Sequence, residues 1–276
     1  VPTLLNLTGV EKPKDVKFDG LSIASLLDPK KDVEWPDRFV ISDSQRVRDP
    51  IKWRGSAVMS KQYRLIKGKE LYEIAVDPGQ RKNIAADHPE VVKTMRAFYD
   101  QWWAELEPTF SQTTEIYLGH PDHSEVTLTA HDWIQEIYPP WHQGSVRGAL
   151  RAQEDIENAT HLGYWAVKVI RDGKYRVSLR RWPAESNVSI NASIPSGENV
   201  PGASKAFRTV PGKSIDATHA SLRIDGKELE TKPVSQDATE VSFLTELKEG
   251  SYQLAPVFKL TSGEVGAYYT VVTWIE

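Results

Sequence analysis

The chain has 276 residues, of which 39% are hydrophobic and 26% charged, and such a chain can form one large globular domain or two ordinary ones. A formal net charge of −4 excludes a strong bulk attraction to nucleic acid or to an anionic membrane. No apolar run approaches the ~20 residues that span a bilayer. The absence of cysteine excludes disulfides, thiolate metal sites and cysteine nucleophiles.

The first nine residues predict the end of a helix. Pro2 suits a first helical turn, Leu4 and Leu5 belong to an apolar stripe, and Gly9 is a natural C-cap. A helix of this length is marginal unless it packs on other elements. Because no N-cap residue and no initiator Met precede it, we expect the sequence to begin in the middle of a fold.

A small antiparallel sheet and one helix are predicted up to about Pro108. Apolar runs at 38–42, 56–60, 62–67 and 70–74 predict four strands, and the last two flank Gly68 as a hairpin. A helix is expected to begin at Pro89 and to end before Pro108. Its apolar face is predicted to be Val92, Met95, Tyr99, Trp102 and Leu106, widened by Val91, Phe98 and Trp103.

From about residue 111 the apolar pattern changes to the alternation that is typical of strands. Residues 165–169 and 175–179 alternate on either side of Asp172-Gly173, which predicts a hairpin. Asp225-Gly226 and Ser262-Gly263 predict two more. Further strands are expected at 125–129, 187–194, 214–224, 240–244, 253–260 and 265–274. The prediction is therefore an α+β chain: a sheet-and-helix subdomain at 1–110, then an all-β sandwich domain at 111–276.

Several short motifs follow one another in the first hundred residues. They are PTLLNLTGV at 2–10, KFDGLS at 17–22, RLI at 64–66, ELYEI at 70–74, DPGQ at 77–80, NIA at 83–85 and HPEV at 88–91. Each alone is a strand, a turn or a helix start, but their order resembles the segment that follows the catalytic α/β domain of sulfatases. The sandwich portion resembles the extension of some bacterial arylsulfatase-like proteins through Gly163-Tyr164-Trp165 and Arg180-Arg181-Trp182-Pro183.

The resemblance implies a parent enzyme that hydrolyses sulfate esters of a glycan or an aryl group. Such enzymes use a formylglycine made from Cys/Ser-x-Pro-x-Arg and a calcium ion, which the resemblance places upstream in a missing N-terminal catalytic domain. The nearest match in this chain is Ser193 to Gly197, where Gly197 replaces the required Arg. We therefore expect no catalytic residue, metal ligand or cofactor here, no turnover by this chain alone, and a bacterial periplasmic or secreted parent.

The predicted substrate-binding residues lie in and beside the loop after the first strand of the small sheet. They are Gln45, Arg46, Arg48, Trp53 and Arg54. Guanidinium groups bind planar or tetrahedral oxyanions bidentately, so this loop is suited to a sulfated glycan or an aryl sulfate. The alternatives are a solvated charged loop, or arginines that pair with Asp43 and Asp49 to hold the missing domain.

Other clusters are weaker candidates. His120 and His123 lack a second pair with metal-ligand spacing. Trp133, Trp141, Trp165 and Trp182 suggest glycan stacking, with Trp165 expected in the core and Trp141 and Trp182 as the candidates for exposure. Arg176, Arg180 and Arg181 are expected to face solvent. Three alternative functions remain open: a carbohydrate-binding module, a purely structural module, or part of a related alkaline-phosphatase-superfamily hydrolase acting on phosphate or phosphonate esters.

Overall fold

The structure, a computed structural model, describes residues 1–30, 32–45, 47, 49–135, 143–148, 162–202 and 211–276. The chain forms two compact units, residues 1–44 with 53–104 and residues 45–52 with 105–276. Helices occur together with several mainly antiparallel sheets, which is the α+β class predicted from the sequence.

The first unit is a four-stranded antiparallel meander with two α-helices. Its elements are α1 (Pro2–Thr8), β1 (Val40–Asp43), β2 (Ser56–Met59), β3 (Tyr63–Ile66), β4 (Glu70–Glu73) and α2 (Pro89–Leu106). The predicted hairpin is confirmed, because Leu65 of β3 lies opposite Leu71 of β4. Its turn has positive φ at Lys67 and Gly68, 48° and 65°, the hand that matches the twist of the strands.

Helix α2 buries one narrow stripe. Met95, Tyr99 and Trp103 are its buried residues, and they are spaced four apart. Phe98, which was predicted to widen this face, is 38% exposed. The sheet contributes Leu65 and Leu71, both fully buried. Burial of these side chains is the main stabilisation of a unit whose strands have only four residues each.

The second unit is built from two sheets. Its elements are β5 (Ile116–Leu118), β6 (Glu125–Thr129), α3 (Gln143–Gly148), β7 (Trp165–Val169), β8 (Gly173–Arg180), β9 (His219–Ile224), β10 (Lys227–Pro233), β11 (Val241–Leu247), β12 (Gly250–Leu254), β13 (Val257–Leu260), β14 (Gly263–Gly266) and β15 (Tyr269–Trp274). One sheet has the order β14-β13-β9-β12-β7-β5, with β10 beside β9, and the other has the order β11-β8-β15-β6. Both sheets supply side chains to one hydrophobic core, among them Trp165, Val177 and Phe243.

The prediction of a hairpin around Asp172-Gly173 was wrong, because β7 and β8 do not pair with each other. Strand β7 pairs with β5 and β12, whereas β8 pairs with β11 and β15, so the chain crosses between sheets at this point. The alternation of apolar residues predicts which side chains of a strand face a core, and β7 and β8 do face the same core. It does not predict which strand lies beside them. Asp172 instead accepts hydrogen bonds from the Glu249 backbone N–H (2.7 Å) and Lys248 Nζ (3.0 Å). These bonds lower the pKa of the Asp172 carboxyl.

Other strand predictions had mixed outcomes. The Asp225-Gly226 and Ser262-Gly263 hairpins are confirmed as β9–β10 and β13–β14. Residues 187–194 form no strand. The predicted strands 253–260 and 265–274 each divide in two. The first divides into β12 and β13, which both pair with β9, and the second into β14 and β15, which belong to different sheets.

The expectation that Arg180 and Arg181 face solvent was also wrong. Arg180 is 8% exposed and pairs with Glu240. Arg181 is fully buried, and burial lowers the pKa of its guanidinium to about 10. The Arg181 guanidinium donates to the carbonyl oxygens of Ile190 (3.3 Å), Ala192 (3.3 Å) and Lys213 (2.5 Å). It therefore ties the segments after β8 and before β9 to one point.

Three tryptophans of the second unit, Trp133, Trp165 and Trp182, are buried. Trp165 is fully buried, as predicted, and Trp133 is 4% exposed. Trp182 is 3% exposed, so its predicted exposure was wrong, and the Arg181 guanidinium lies 4.3 Å from its ring centroid. Trp141 is outside the described residues. These three described tryptophans therefore offer no exposed platform for stacking on a sugar.

Candidate functional site

The five predicted substrate-binding residues divide between the two units. Trp53 and Arg54 belong to the first unit and Gln45 to the second. Arg46 and Arg48 lie outside the described residues.

Tyr99 of α2 holds the start of the turn that precedes β2. Its hydroxyl donates to Oδ2 of Asp43 at 2.7 Å and accepts the backbone N–H of Trp53 at 3.1 Å. Asp43 is the last residue of β1, so one phenol connects a strand end, a turn and a helix. Burial and the bond to Asp43 raise the pKa of Tyr99 to about 12, and the hydroxyl therefore stays protonated as a donor at neutral pH.

The indole of Trp53 is packed on more than one side. It stacks on Tyr99 with ring centroids 3.7 Å apart, and the Arg96 guanidinium lies 5.2 Å from its centroid. Arg96 also donates to the Gly68 carbonyl at 2.6 Å, and a Cβ on Gly68 would lie 3.0 Å from the indole. A substrate ring would have to compete with these contacts. The geometry therefore makes Trp53 an anchor for the turn.

The backbone of this turn is held in an unusual conformation. Trp53 has φ 66°, which is uncommon for a bulky residue, and Gly55 has φ 58°. A Cβ on Gly55 would come 2.7 Å from the Ser44 carbonyl oxygen, so only glycine fits there. A left-handed bulky residue stores of order 1–3 kcal/mol and persists only where its surroundings fix it. The hydrogen bond from the Trp53 backbone N–H to the Tyr99 hydroxyl supplies that constraint. Arg54 is the next residue in the chain.

Gln45 closes the other end of the loop. Its side-chain Oε1 accepts the Ile51 backbone N–H at 2.9 Å, and its Nε2 donates to the Ile51 carbonyl at 3.2 Å. This two-bond clip joins residues six apart in sequence. The carboxamide is thus used for loop structure, although Gln45 was predicted from the sequence as a substrate-binding residue.

The charge of the segment is opposite to that of the chain. Residues 44–54 contain Arg46, Arg48, Lys52 and Arg54 against one acid, Asp49, a formal charge of +3 in a chain of −4. A basic segment of this kind attracts anionic ligands. The positive charge of the segment therefore follows from its sequence, and Gln45 and Trp53 are each held by contacts within their own unit.

From the sequence, Asp43 was only an acid near the arginines, and Tyr99 was only one residue of the apolar face of a helix. Their hydrogen bond joins residues 56 apart, and no local pattern predicts such a pairing. Arg96, which bonds the turn at Gly68, was not predicted either. A tyrosine in the middle of a buried helical stripe is the one available hint, because a buried phenol needs a partner.

The histidine cluster forms a turn. His120 and His123 make an isolated antiparallel bridge with ring centroids 5.9 Å apart, and His120 Nδ1 accepts the Asp122 backbone N–H at 3.2 Å. Within the described ranges no three His, Asp or Glu side chains are grouped to hold a metal ion. In the same ranges no helix is both long enough and apolar enough to cross a membrane.

No family model and no curated protein matches this chain. Among solved structures it is similar to the crystal structure of a ruminal GH26 endo-beta-1,4-mannanase, with 14% identity and a TM-score of 0.31. The match covers 59% of this chain and 27% of that one, so the chain spans about a quarter of that protein's length. A similarity this low carries no argument about fold or activity. The functional proposal therefore stands on the residues themselves.

Proposed function

We propose that this chain is the carboxyl-terminal portion of a sulfatase-like hydrolase, and that its 44–54 segment binds the anionic group of the substrate. The observation that carries the proposal is the positive segment itself, +3 in a chain of −4, next to the anchored Trp53 turn. The formylglycine and calcium of the parent belong to the catalytic domain that the family resemblance implies.

The arginines and the two anchors have different roles in this proposal. Arg46, Arg48 and Arg54 contact the sulfate or a neighbouring anionic group, because a guanidinium offers paired donors to a tetrahedral oxyanion. Gln45 and Trp53 are positioning residues, since their side chains are engaged with Ile51 and Tyr99. Positioning of this kind reduces the entropy lost when the ligand binds.

A second feature of the first unit supports a catalytic-domain partner. Helix α1 has no buried residue, and large apolar side chains of residues 1–27 are exposed. Among them are Leu4 (65%), Leu7 (58%), Leu26 (46%) and Leu27 (59%). The segment is held together internally, because the Ile23 backbone N–H donates to Thr3 Oγ1 at 3.1 Å. We assign this apolar surface to docking against the catalytic domain of the same parent.

A purely structural role is the second candidate, and the same exposed apolar surface favours it. In that case the chain would stabilise the catalytic domain without touching substrate. The two candidates differ in one measurable respect, which is whether the arginines of the segment affect substrate affinity.

The experiment uses the full-length parent protein and this chain alone, assayed on an aryl sulfate and on sulfated oligosaccharides. The parent protein should hydrolyse the sulfate esters, and this chain alone should not. Arg54→Met in the parent should raise KM about 10- to 100-fold, the value of one or two charge-assisted hydrogen bonds. Lys82→Met removes an exposed charge elsewhere in the first unit and is the matched control. Turnover by this chain alone would overturn the assignment, and unchanged KM in Arg46, Arg48 and Arg54 variants would leave only the structural role.

A further inference from the structure

A polar pocket lies within the second unit. It has a volume of about 270 Å³, just below the ~300–1,000 Å³ of most small-molecule sites, so it suits one ring-sized group. Its lining residues are Thr113, Glu115, Tyr164, Ala166, Asp225, Ser251, Tyr252 and Gln253. None of them belongs to the candidate substrate-binding segment.

The pocket forms because a small residue, Ala166, lies on the outer face of β7. Residues 165, 167 and 169 of this strand are buried in the core, so Ala166 and Lys168 face outward. On the adjacent strand β12, Gln253 lies opposite Ala166 and Ser251 opposite Lys168. The side chain of Ala166 is a single methyl group, and the longer side chains around it therefore enclose a depression.

The pocket presents hydrogen-bonding groups that the protein does not use. Within the part of the chain that the structure describes, the side chains of Thr113, Glu115, Tyr164, Ser251 and Gln253 make no hydrogen bond or ion pair. Asp225 uses Oδ1 to accept the Gln253 backbone N–H at 2.8 Å, and its second carboxylate oxygen has no partner in that same part.

A second pocket of the same unit shows the contrast. Around Gly173, Lys174 pairs with Glu276 at 2.6 Å and Lys248 pairs with Asp172 at 3.0 Å, so four of its five charged side chains are paired with one another. The groups around Ala166 have no such mutual pairing. Polar groups placed around one concave site are what fixes the orientation of a bound ligand.

The chemistry of the lining indicates the class of ligand. It contains two carboxylates, Glu115 and Asp225, and no lysine or arginine, so a sulfate or phosphate group would be repelled. Carboxylate, amide and hydroxyl oxygens accept hydrogen bonds from ligand hydroxyls, and the Tyr164 ring offers an apolar face with a polar end. We propose that this pocket binds a neutral sugar residue, with its hydroxyls on Glu115, Asp225 and Gln253 and its ring against Tyr164.

This site goes beyond the proposed function and does not need sulfatase chemistry. It would let the chain hold an uncharged unit of a glycan independently of the positive segment. Its test measures binding by this chain alone, which is predicted to have no turnover. A failure here is therefore distinct from a failure of the sulfatase proposal.

The probe is an array of neutral oligosaccharides and their sulfated counterparts, followed by titration calorimetry of the neutral compounds that bind. Neutral oligosaccharides should bind, and sulfation of the bound unit should weaken binding. Tyr164→Ala and Ala166→Gln should each lower the affinity about tenfold or more, the first by removing the ring and the second by filling the depression. Tyr117→Ala is the matched control, because Tyr117 lies on β5 with 59% exposure and does not line the pocket.

Circular dichroism and thermal midpoints should be the same for the variants and the unchanged chain. If Tyr164→Ala alone alters the fold, Ala166→Gln decides the question, since its outward side chain adds atoms to the surface. The proposal is overturned if no neutral oligosaccharide binds, if the sulfated forms bind more tightly, or if Ala166→Gln binds as well as the unchanged chain.

Discussion

Replacing Tyr99 by Phe removes one oxygen from a fully buried site. The loss of its 2.7 Å bond to the Asp43 carboxylate is worth about 1.5–3 kcal/mol. The Trp53 N–H, 3.1 Å from the same oxygen, also loses its acceptor, which adds about 1–3 kcal/mol. Since the two bonds share one atom and are not additive, we expect Tyr99→Phe to reduce the free energy of unfolding by about 2–4 kcal/mol.

Two measurements check this result. Equilibrium urea unfolding gives the change in free energy, and hydrogen exchange should show faster exchange of the Trp53 amide. Tyr63→Phe is the control, because the Tyr63 hydroxyl has no hydrogen bond within the described ranges. If the two variants agree within about 0.5 kcal/mol, the typical scatter of neutral substitutions, Tyr99 does not hold the turn.

The same variant carries a pH signature. The folded state holds the Tyr99 proton with a pKa of about 12, against an ordinary value of 10.0. Because the folded pKa is the higher one, its contribution to stability is complete below about pH 10 and is lost as pH rises towards about 12. The Tyr99→Phe variant should not show this loss of stability between about pH 10 and pH 12. If its stability depends on pH in the same way as that of the unchanged chain, the raised pKa does not belong to Tyr99.

Three further substitutions test the second unit. Arg181→Met should reduce the free energy of unfolding by about 3–5 kcal/mol, since it leaves several buried carbonyl oxygens without donors. Glu228→Gln should remove stability that is present above pH 4.5 and lost as pH falls towards about 2, because bonds from Lys259, Ser221 and Thr231 lower the pKa of Glu228 to about 2. Gly119→Ala should cost more than about 2 kcal/mol, because its Cβ would lie 2.2 Å from the Tyr175 hydroxyl at φ 85°.

Each has a matched control to be measured by urea unfolding. Arg176→Met lies on the exposed face of β8 and should stay within about 0.5 kcal/mol. Glu230→Gln alters a nearby acid on β10. This variant should still lose stability as pH falls below 4.5, whereas Glu228→Gln should not show that loss. Gly226→Ala also has positive φ, 73°, but its Cβ would meet nothing within 4 Å, so it should cost only about 1 kcal/mol. Equal effects within any pair would refute the specific contact.

Local patterns predicted the first unit well. The hairpin at Gly68 and the helix from Pro89 depend on turn chemistry and helical periodicity, and both are encoded within a few residues. The candidate site was predictable in part. The charge of the 44–54 segment can be read directly from the sequence, whereas the contacts of Gln45 and Trp53 cannot. Their contacts, to the Ile51 backbone and to Tyr99, depend on the tertiary fold.

The second unit shows where sequence patterns stop being informative. Strand positions such as 125–129 were predicted, but the partner of β8 was not, since alternation fixes a facing side and not a neighbour. Arg181 was missed for a related reason. A run of two arginines after a strand is usually solvated, and the carbonyl oxygens that satisfy Arg181 come from segments 9 to 32 residues away.

The sheet that contains β8 also determines when the second unit can fold. One of its two inner strands, β15, lies between β8 and β6, and Thr273 of β15 pairs with Glu125, 148 residues earlier in the chain. Within the described residues β6 has no other partner in this sheet, so it stays unpaired on the ribosome until β15 has been synthesised. Long-range pairings of this kind slow folding and leave strand edges open to wrong partners. Synthesis of β15 is therefore the step that closes this sheet.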